Sequence, residues 1–472
     1  MQIISNERKY MKYILLTLLS LLFSLSLSAT PKGFTGNPIL PGTYADPAIV
    51  CYDDVFYIYS TSNGSACVWY SKDFKNWRVR NLNWPTSTKI RNQWAPCMRK
   101  IGKYFYLFYS LDSQIYVGKS SSPFGPFENI KGQENGKGIP FIKAREFFPK
   151  IHTIDADVFI DDDNRAYIYW GSGLGFKDGV CAFAELKDDV SGFKTKPKNI
   201  TPKGFFEGSN LMKRNGKYYL MYSDGIFFND TYCVKYAVSN TPEGPFVYGK
   251  NNPILETHFP TRTYGPGHHS TIKIGEKYYI VYHKMEYPRM FEGRSGSRQT
   301  CIDELRFDAD GNILKIVPTK TGVELDVLKN AKNQNQIFPV KVASSKSSGK
   351  TPNYYKPELA FDDSFDTIWE PDMKQTNVWL AADLGKSCEI EAFEPVFAEV
   401  RANVIYKIET SNALVENISD VKDWQLYGVF KNGDVDEWPH RIQKSVKARF
   451  VRLSVLNFNS REGIWEFKIF GK

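Results

Sequence analysis

Five segments within the first 300 residues repeat one pattern, in which a short opening run leads into an alternating strand rich in Tyr and Phe. Subtraction of their sequence numbers gives openings 48, 61, 52 and 61 residues apart, at Asp46, Trp94, Asp155, Glu207 and His268. This spacing suits one four-stranded sheet per repeat. Five such sheets placed around an axis form a five-bladed β-propeller, which brings equivalent positions of all repeats to its centre. We therefore expect the three carboxylates among these openings to converge.

The chain changes character near residue 337, where the aromatic repeat ends. Polar stretches at 329–336 and 344–350 are typical of a domain boundary. The alternating strands that follow favour an antiparallel β-sandwich or jelly roll. Because aromatic residues make up 15% of the chain and Gly and Pro are plentiful, we expect an all-β protein. The predicted parts are a signal peptide at 1–29, the propeller at 30–328, a boundary at 329–350 and the sandwich at 351–472.

The N-terminus has the layout of a secretory signal peptide. Lys9 and Lys12 precede an apolar run from 14 to 27, and small residues follow at 28–30. The run is shorter than the roughly 20 residues that a transmembrane helix needs. We expect a secreted or periplasmic protein without membrane attachment after cleavage, whose translation starts at Met1 or Met11.

Charge and cysteine content argue against a nucleic-acid-binding protein and against a protein held together by structural zinc. The formal net charge of +9 comes from Lys and Arg scattered through turns, so nucleic acid is not an expected partner. The seven cysteines are spread singly, without a CxxC pair. We expect most of them to be small buried residues rather than ligands of a structural zinc.

The three carboxylates suit hydrolysis of a glycosidic bond, which needs one acid to protonate the leaving oxygen and one carboxylate to activate water or attack directly. Asp46 precedes Pro47, which places it at the start of a strand. Glu207 follows two Phe residues, an apolar setting that raises a carboxyl pKa. Asp155 lies in an apolar strand and would raise the pKa of Glu207 or fix its orientation. Asp157 is the alternative for this third role, since alternation places it on the same side of the strand.

The motifs around these residues closely resemble glycoside hydrolase family 43. YADPAIV contains Asp46, TIDADVFIDDD contains Asp155, and EGSNLMKRNGKYYL begins with Glu207. WAP at Trp94 and GPGHHS around His268 add to the resemblance, which covers roughly residues 37–320 and all five repeats.

The resemblance implies a role for each of these residues. It makes Asp46 the general base that activates water, Asp155 the residue that tunes the pKa, and Glu207 the general acid. Trp94 would form an apolar wall of the deepest sugar subsite, where Arg298 would bind sugar hydroxyls. His268 would lie near the propeller axis, where such proteins often hold a calcium ion through water. No organic cofactor is implied.

The chain departs from the family pattern at Cys97, where many relatives carry an acidic residue, and the contribution of the second blade stays open. The fructan-cleaving enzymes of a related group flank their first-blade Asp-Pro pair with Asn, whereas Ala45 and Ala48 stand here. Their retaining mechanism is therefore not favoured. We expect a single displacement with inversion, with the carboxyls of Asp46 and Glu207 roughly 6.5–9.5 Å apart.

The C-terminal segment is similar to discoidin-like (coagulation factor 5/8 C-terminal) domains and to carbohydrate-binding module family 32. The matching stretches are ELAFDDSFDTIW, VWLAADLG, RFVRL and IWEFKIFG. The resemblance makes Asp363 and nearby groups candidates to hold a structural calcium, but backbone carbonyl ligands leave no trace in a sequence, so the sequence leaves this open. Trp369 and Trp379 are expected in the core rather than on a sugar-binding surface.

The expected function is that of an exported inverting exo-glycosidase, which removes terminal β-D-xylosyl or α-L-arabinofuranosyl residues from hemicellulose-type polysaccharides or oligosaccharides. Two alternatives stay open: a non-catalytic propeller that binds carbohydrate, and the same chemistry on a galactan-type substrate. Release of reducing sugar separates the first alternative from hydrolysis. The subsite loops, whose shape one sequence does not give, decide the substrate.

Overall fold

Aromatic-rich strands form five blades in the computed structural model of the chain, and a further sheet follows at the C-terminus. The structure describes residues 30–31, 33–62, 66–85, 93–287, 289–292, 297–325, 338–349, 351–352, 354–371, 377–400, 402–432, 438–457 and 463–472. The helical elements among these residues are four short 3₁₀ helices, at Phe259–Thr261, Arg289–Glu292, Pro357–Ala360 and Ile418–Asp420. The predicted all-β fold, a five-bladed propeller followed by a β-sandwich, is confirmed.

The first four blades are antiparallel sheets whose strands pair in chain order. Blade 1 contains β1 (Tyr44–Tyr52), β2 (Val55–Ser62), β3 (Cys67–Ser71) and β4 (Arg78–Asn81). Blade 2 contains β5 (Gln93–Ile101), β6 (Tyr104–Leu111), β7 (Gln114–Ser120) and β8 (Glu128–Asn129), and the small hairpin of β9 (Gln133–Glu134) and β10 (Lys137–Gly138) follows it. Blade 3 contains β11 (Asp157–Ile160), β12 (Ala166–Trp170), β13 (Ala182–Glu185) and β14 (Lys198–Asn199). Blade 4 contains β15 (Glu207–Arg214), β16 (Lys217–Asp224), β17 (Cys233–Ser239) and β18 (Val247–Tyr248).

Blade 5 is closed by the beginning of the propeller chain. Its described strands are β19 (Gly267–Ile274), β20 (Lys277–Met285) and β21 (Arg298–Leu305). The backbone N–H of Ile39 donates to the carbonyl of Thr300 at 2.9 Å. The side chain of Asn37 donates to the carbonyl of Ile302 at 2.8 Å and accepts from its N–H at 2.9 Å. These bonds join the first residues of the propeller to its last blade and so close the ring.

Each blade carries one residue in left-handed backbone conformation at or just before the start of its inner strand. These five residues occupy equivalent positions in the repeats. They are Asp46 (φ 52°), Ala95 (φ 45°), Asp155 (φ 60°), Gly208 (φ 63°) and His268 (φ 37°). In blades 1, 2, 4 and 5 a register shift typical of a β-bulge accompanies this residue. Left-handed conformation is costly for residues other than glycine and persists where the surroundings impose it.

Hydrogen bonds between neighbouring blades impose this conformation. Four of the five residues donate their backbone N–H to a side chain at the end of the second strand of the preceding blade. These bonds are Asp46 to His283 Nδ1 at 3.1 Å, Ala95 to Thr61 Oγ1 at 2.7 Å, Asp155 to Ser110 Oγ at 2.9 Å and His268 to Ser223 Oγ at 2.8 Å. The polar residues that end most of the aromatic strands therefore support the inner ends of the blades.

The C-terminal sheet has seven described strands: β22 (Phe338–Pro339), β23 (Ser344–Ser347), β24 (Val378–Phe397), β25 (Ile405–Ser411), β26 (Gln425–Lys431), β27 (Ile442–Val455) and β28 (Ile464–Gly471). The long strand β24 pairs with β23 through its first half and with β28 through its second half. Since β22 and β23 lie within the stretch expected as a boundary, the sheet begins before residue 351. Trp369 is fully buried in the core of this domain, as expected, and Trp379 is half-buried.

The propeller and the C-terminal domain share a hydrophobic core. The ring of Trp69 in blade 1 packs edge-to-face on Trp438 of the C-terminal domain, with 4.9 Å between ring centroids. Val396 and Trp465 belong to the same buried cluster. The two domains are therefore packed directly against each other.

Two further expectations concern the whole chain. The seven cysteines are unpaired, and all except the exposed Cys51 are buried, as expected. The signal peptide predicted at 1–29 lies outside the described residues. Within the described ranges, no helix is long and apolar enough to cross a membrane.

Candidate active site

The residues that the sequence singles out line one cavity of about 380 Å³. All six are among its lining residues: Asp46, Trp94, Asp155, Glu207, His268 and Arg298. Blades 1 to 5 each contribute at least one of them. The propeller thus brings together side chains that are up to 252 residues apart in sequence.

Asp46 is surrounded by basic side chains. Its Oδ1 atom lies 3.0 Å from Nη1 of Arg298, 3.2 Å from Nδ1 of His283 and 3.4 Å from Nδ1 of His268. Burial by itself raises the pKa of this carboxyl, but the charge of Arg298, then that of His268 and the contact with His283, hold that pKa well below its usual range. Asp46 is therefore ionised at neutral pH, as a base must be.

Glu207 lies in the opposite electrostatic environment. Burial raises the pKa of its carboxyl, and the negative charge of Asp46 raises it further. The neighbouring His268 and two hydroxyl groups act against this rise. Tyr232 donates its hydroxyl to Oε1 at 2.8 Å, and Ser172 donates to Oε2 at 2.9 Å. The net effect is a raised pKa, which suits a residue that must carry a proton to a leaving group.

Asp155 completes the set of carboxyls. Burial and the neighbouring charges of Glu207 and Asp46 raise its pKa well above the usual value. Its Oδ2 atom lies 3.7 Å from Nδ1 of His268. Because the charge of Glu207 disfavours ionisation of Asp155, the two carboxyls behave as a pair of interacting titratable groups.

Asp157, the alternative to Asp155, does not line the cavity. Its Oδ1 atom accepts from Nη2 of Arg99 at 2.9 Å, and its Oδ2 atom accepts from the backbone N–H of Leu211 at 3.1 Å. These bonds connect blade 3 with blades 2 and 4. The expectation that both aspartates face the same side is wrong, because the left-handed Asp155 precedes β11 and departs from strand alternation.

Cys97, where the chain departs from the family pattern, also faces Asp157. Its Sγ atom lies 3.5 Å from Oδ1 of Asp157 and accepts from the N–H of Val158 at 3.3 Å. Burial raises the pKa of this thiol to about 12. Blade 2 therefore places a neutral residue at this position, and the neighbouring Arg99 supplies the charge that pairs with Asp157.

His268 and Trp94 each line the cavity through an aromatic ring. The ring of His268 packs against Gly208, where a Cβ atom would lie only 3.2 Å from the imidazole, so glycine fits this left-handed position without crowding the ring. Trp94 packs edge-to-face on His152, with 6.3 Å between ring centroids. The cavity lining therefore combines aromatic rings with charged side chains.

One carboxyl with a lowered pKa and one with a raised pKa in the same cavity suit the base and the acid that glycosidic hydrolysis requires. The family model for glycosyl hydrolases family 43 matches residues 35–313. This chain belongs to glycosyl hydrolases family 43. It is a glycoside hydrolase, and such hydrolysis needs no organic cofactor.

Several known glycoside-cleaving proteins are similar to this chain over most of their own length. A β-D-galactofuranosidase of Aspergillus niger is 30% identical over 328 residues, which cover 64% of this chain and 90% of that protein. A xylosidase/arabinosidase of Bacteroides ovatus is 28% identical over 341 residues, which cover 59% of this chain and 96% of that protein. A solved structure described as a glycoside hydrolase is 26% identical, with a TM-score of 0.74, and covers 93% of this chain and all of that one (100%). The F5/8 type C domain model matches residues 341–467.

Several residues that contact the carboxyls of the site were not predicted from the sequence. Ser172 and Tyr232, which bind Glu207, lie in loops after β12 and before β17. His283, which accepts from the N–H of Asp46, was not among the predicted site residues. The signal for it in the sequence is that it ends the fifth aromatic strand, where three of the other four repeats carry Ser.

An aromatic rim stands at the mouth of the cavity and was also missed. It consists of Phe176 from blade 3 with Phe227 and Phe228 from blade 4, and the three ring pairs have centroid distances of 5.1–5.9 Å. Phe176 is 45% exposed and Phe228 is 38% exposed. The guanidinium of Arg298 lies over the ring of Phe227 at 4.9 Å. The rim therefore offers apolar surface directly beside the charged part of the site.

Proposed function

We propose that this family-43 enzyme removes terminal β-D-xylosyl or α-L-arabinofuranosyl residues from hemicellulose-type polysaccharides or oligosaccharides, with inversion. Asp46 acts as the base that activates water, and Glu207 protonates the leaving oxygen. Asp155 raises the pKa of Glu207. Arg298, His268 and Trp94 hold the sugar in the cavity.

One observation carries this assignment of roles. Asp46 lies beside Arg298 and two imidazoles, which favour its charged form, whereas burial favours the neutral form of Glu207. The enzyme can therefore hold one ionised and one protonated carboxyl at the same pH. This pairing is the starting state for acid–base cleavage of a glycoside.

Similarity to the Bacteroides ovatus xylosidase/arabinosidase supports a pentosyl substrate. A second candidate is a galactofuranosyl substrate, as in the β-D-galactofuranosidase, which is 30% identical over a long alignment. Both candidates use the same carboxyls. They differ in whether the cavity accepts the additional exocyclic carbon atom of a hexofuranose.

The test is a panel of 4-nitrophenyl glycosides: β-D-xylopyranoside, α-L-arabinofuranoside and β-D-galactofuranoside. We expect release of nitrophenol from one of the two pentosides. Proton NMR during turnover of that substrate should first show the anomer opposite in configuration to the substrate. Turnover of the galactofuranoside alone would favour the second candidate, and first appearance of the same anomer would contradict inversion.

We also propose that the chain is exported to the periplasm or the medium, supported by the signal-like residues 1–29. Fractionation of cells that express the full chain tests this. Activity in the cytosolic fraction, with residues 1–29 still attached, would contradict it.

We propose a structural calcium site in the C-terminal domain at Asp362 and Glu466. Oδ1 of Asp362 is buried and has no hydrogen-bond partner among the described residues. Burial raises the pKa of Asp362 to about 7, and burial together with the negative charge of Asp362 raises the pKa of Glu466 well above its usual value. A hard cation would relieve this repulsion through oxygen ligands. Asp363, the predicted ligand, is exposed. The calcium expected near His268 stays a prediction.

Calcium should raise the melting temperature of the chelated enzyme, because a ligand that binds only the folded state stabilises it. Asp362→Asn should remove most of that rise. Asp363→Asn is the matched control and should retain it. An equal melting temperature with calcium and with chelator would contradict the site.

A further inference from the structure

One segment of the C-terminal domain, residues 365–370, contacts the two strands that carry His283 and Arg298. The side chain of Gln299 on β21 donates to the backbone carbonyl of Phe365 at 2.6 Å. Lys284 on β20 forms an ion pair with Asp366, and both side chains are at least nine-tenths buried.

A second ion pair extends this contact beyond the end of β20. Arg289 pairs with Glu370 of the C-terminal domain and also with Glu286, at 2.9 Å. Charged groups in such positions have little access to water, so each depends on its partner. The C-terminal domain thus supplies partners for Lys284, Gln299 and Arg289, three polar side chains of blade 5.

The contacted residues are immediate neighbours of residues that hold Asp46. Lys284 follows His283 in β20, and Gln299 follows Arg298 in β21. Lys284 and Gln299 are also paired with each other across the two strands. Because side chains alternate along a strand, His283 and Arg298 face Asp46 while Lys284 and Gln299 face the C-terminal domain.

We propose that residues 365–370 act as a clamp that positions β20 and β21, so that His283 and Arg298 meet Asp46. The C-terminal domain is then part of the catalytic unit rather than only a separate carbohydrate-binding module. This inference rests on the hydrolase activity and is independent of which sugar is removed.

The clamp is tested in the full chain with two variants. Gln299→Met removes the hydrogen bond to Phe365 and leaves every charge in place. The double variant Lys284→Met/Asp366→Leu removes both members of the ion pair, so that no unpaired charge is left buried. The control is Trp438→Leu, which weakens the interface at Trp69, away from the two strands.

We expect both clamp variants to raise KM and lower kcat, with a loss in kcat/KM of about tenfold or more, since small displacements of catalytic groups are costly. A variant that merely contains less folded enzyme would lower the apparent kcat and leave KM unchanged. Trp438→Leu should lower the melting temperature and leave KM unchanged. Unchanged kcat/KM in Gln299→Met, or an equal rise of KM in the Trp438 variant, would overturn the clamp.

A double-mutant cycle and hydrogen exchange give further readouts. If the clamp acts through Arg298, adding Gln299→Met to an Arg298→Ala enzyme should cost little more activity, whereas independent effects would add. Amide exchange of residues 298–300 should also be faster in Gln299→Met than in Trp438→Leu. Equal exchange would overturn the clamp even if the substrate proposal failed, because exchange requires no substrate. Inactivity of the wild-type enzyme on the glycoside panel would contradict only the proposed substrate.

Discussion

Nη1 of Arg298 lies 3.0 Å from Oδ1 of Asp46, and this contact joins the last blade of the propeller to the first. It places the guanidinium cation of Arg298 beside the carboxylate assigned as base. The pKa of Asp46 is held low mainly by this neighbour, against the effect of burial. The ring closure at Asn37 and Ile302 is therefore part of what makes the base ionised.

Replacement of Arg298 by Met should move the acidic limb of the kcat/KM profile to higher pH. The guanidinium stabilises the charged form of Asp46, so its removal raises the pKa and less of the base is ionised at low pH. The measurement is a pH profile with a nitrophenyl glycoside. Arg214→Met, at an arginine that packs on Phe307 outside the site, is the control. An unmoved acidic limb in the Arg298 variant would count against this electrostatic role.

Glu207→Gln should lower kcat by about 10²–10⁴-fold on natural oligosaccharides, the usual contribution of a general acid. The loss should be much smaller with a dinitrophenyl glycoside, because that leaving group departs without protonation. Asp46→Asn should lose a similar factor on both substrates, since water activation is needed in each case. Rates are compared after circular dichroism shows that the variants are folded. Equal losses of Glu207→Gln on the two substrates would assign the acid elsewhere.

Tyr232→Phe should move the alkaline limb of the kcat/KM profile to higher pH. The Tyr232 hydroxyl donates to Glu207 and so stabilises the carboxylate, which lowers the pKa of Glu207. Without this bond the acid keeps its proton to higher pH. Ser172→Ala should act in the same direction. An unmoved alkaline limb in both variants would contradict this role of the two hydroxyl groups.

Asp155→Asn should move the alkaline limb of the kcat/KM profile to lower pH. A neutral side chain removes the repulsion between the two neighbouring carboxyls, so the pKa of Glu207 falls and the acid loses its proton at lower pH. Asp157→Asn is the comparison, since Asp157 pairs with Arg99 outside the cavity. We expect Asp157→Asn to lower the melting temperature and leave the alkaline limb unchanged. A limb that moved only in the Asp157 variant would restore Asp157 as the tuning residue.

The repeat in the sequence predicts the fold because its period and its alternation are local properties of the chain. It also predicts that Asp46 and Asp155 meet, since both occupy the left-handed position of their blades. Glu207 stands one residue before that position, which Gly208 occupies. Its place in the cavity therefore follows from the family resemblance more than from the repeat itself.

Residues in loops and at the domain contact could not be predicted in the same way. Ser172 and Tyr232 reach Glu207 from connections whose path depends on the neighbouring blade. The clamp on Gln299 depends on how two domains pack, and no periodic pattern in either domain carries that information. Asp157 was misplaced because the sequence shows alternation but not the left-handed turn at Asp155 that interrupts it.

The aromatic rim should decide how well the enzyme uses long leaving groups. Phe176 is 45% exposed at the cavity mouth, where its ring can stack on the sugar beyond the cleaved bond. Phe176→Ala should raise KM for a pentosyl oligosaccharide by about tenfold, consistent with the roughly 1.5 kcal/mol of a good aromatic contact. Hydrolysis of a glycosyl fluoride, whose leaving group is too small to reach the rim, should change less than twofold. Val247→Ala, at an exposed residue of β18 outside the cavity, is the control. Equal effects of Phe176→Ala on the two substrates would show that the rim does not bind the leaving group.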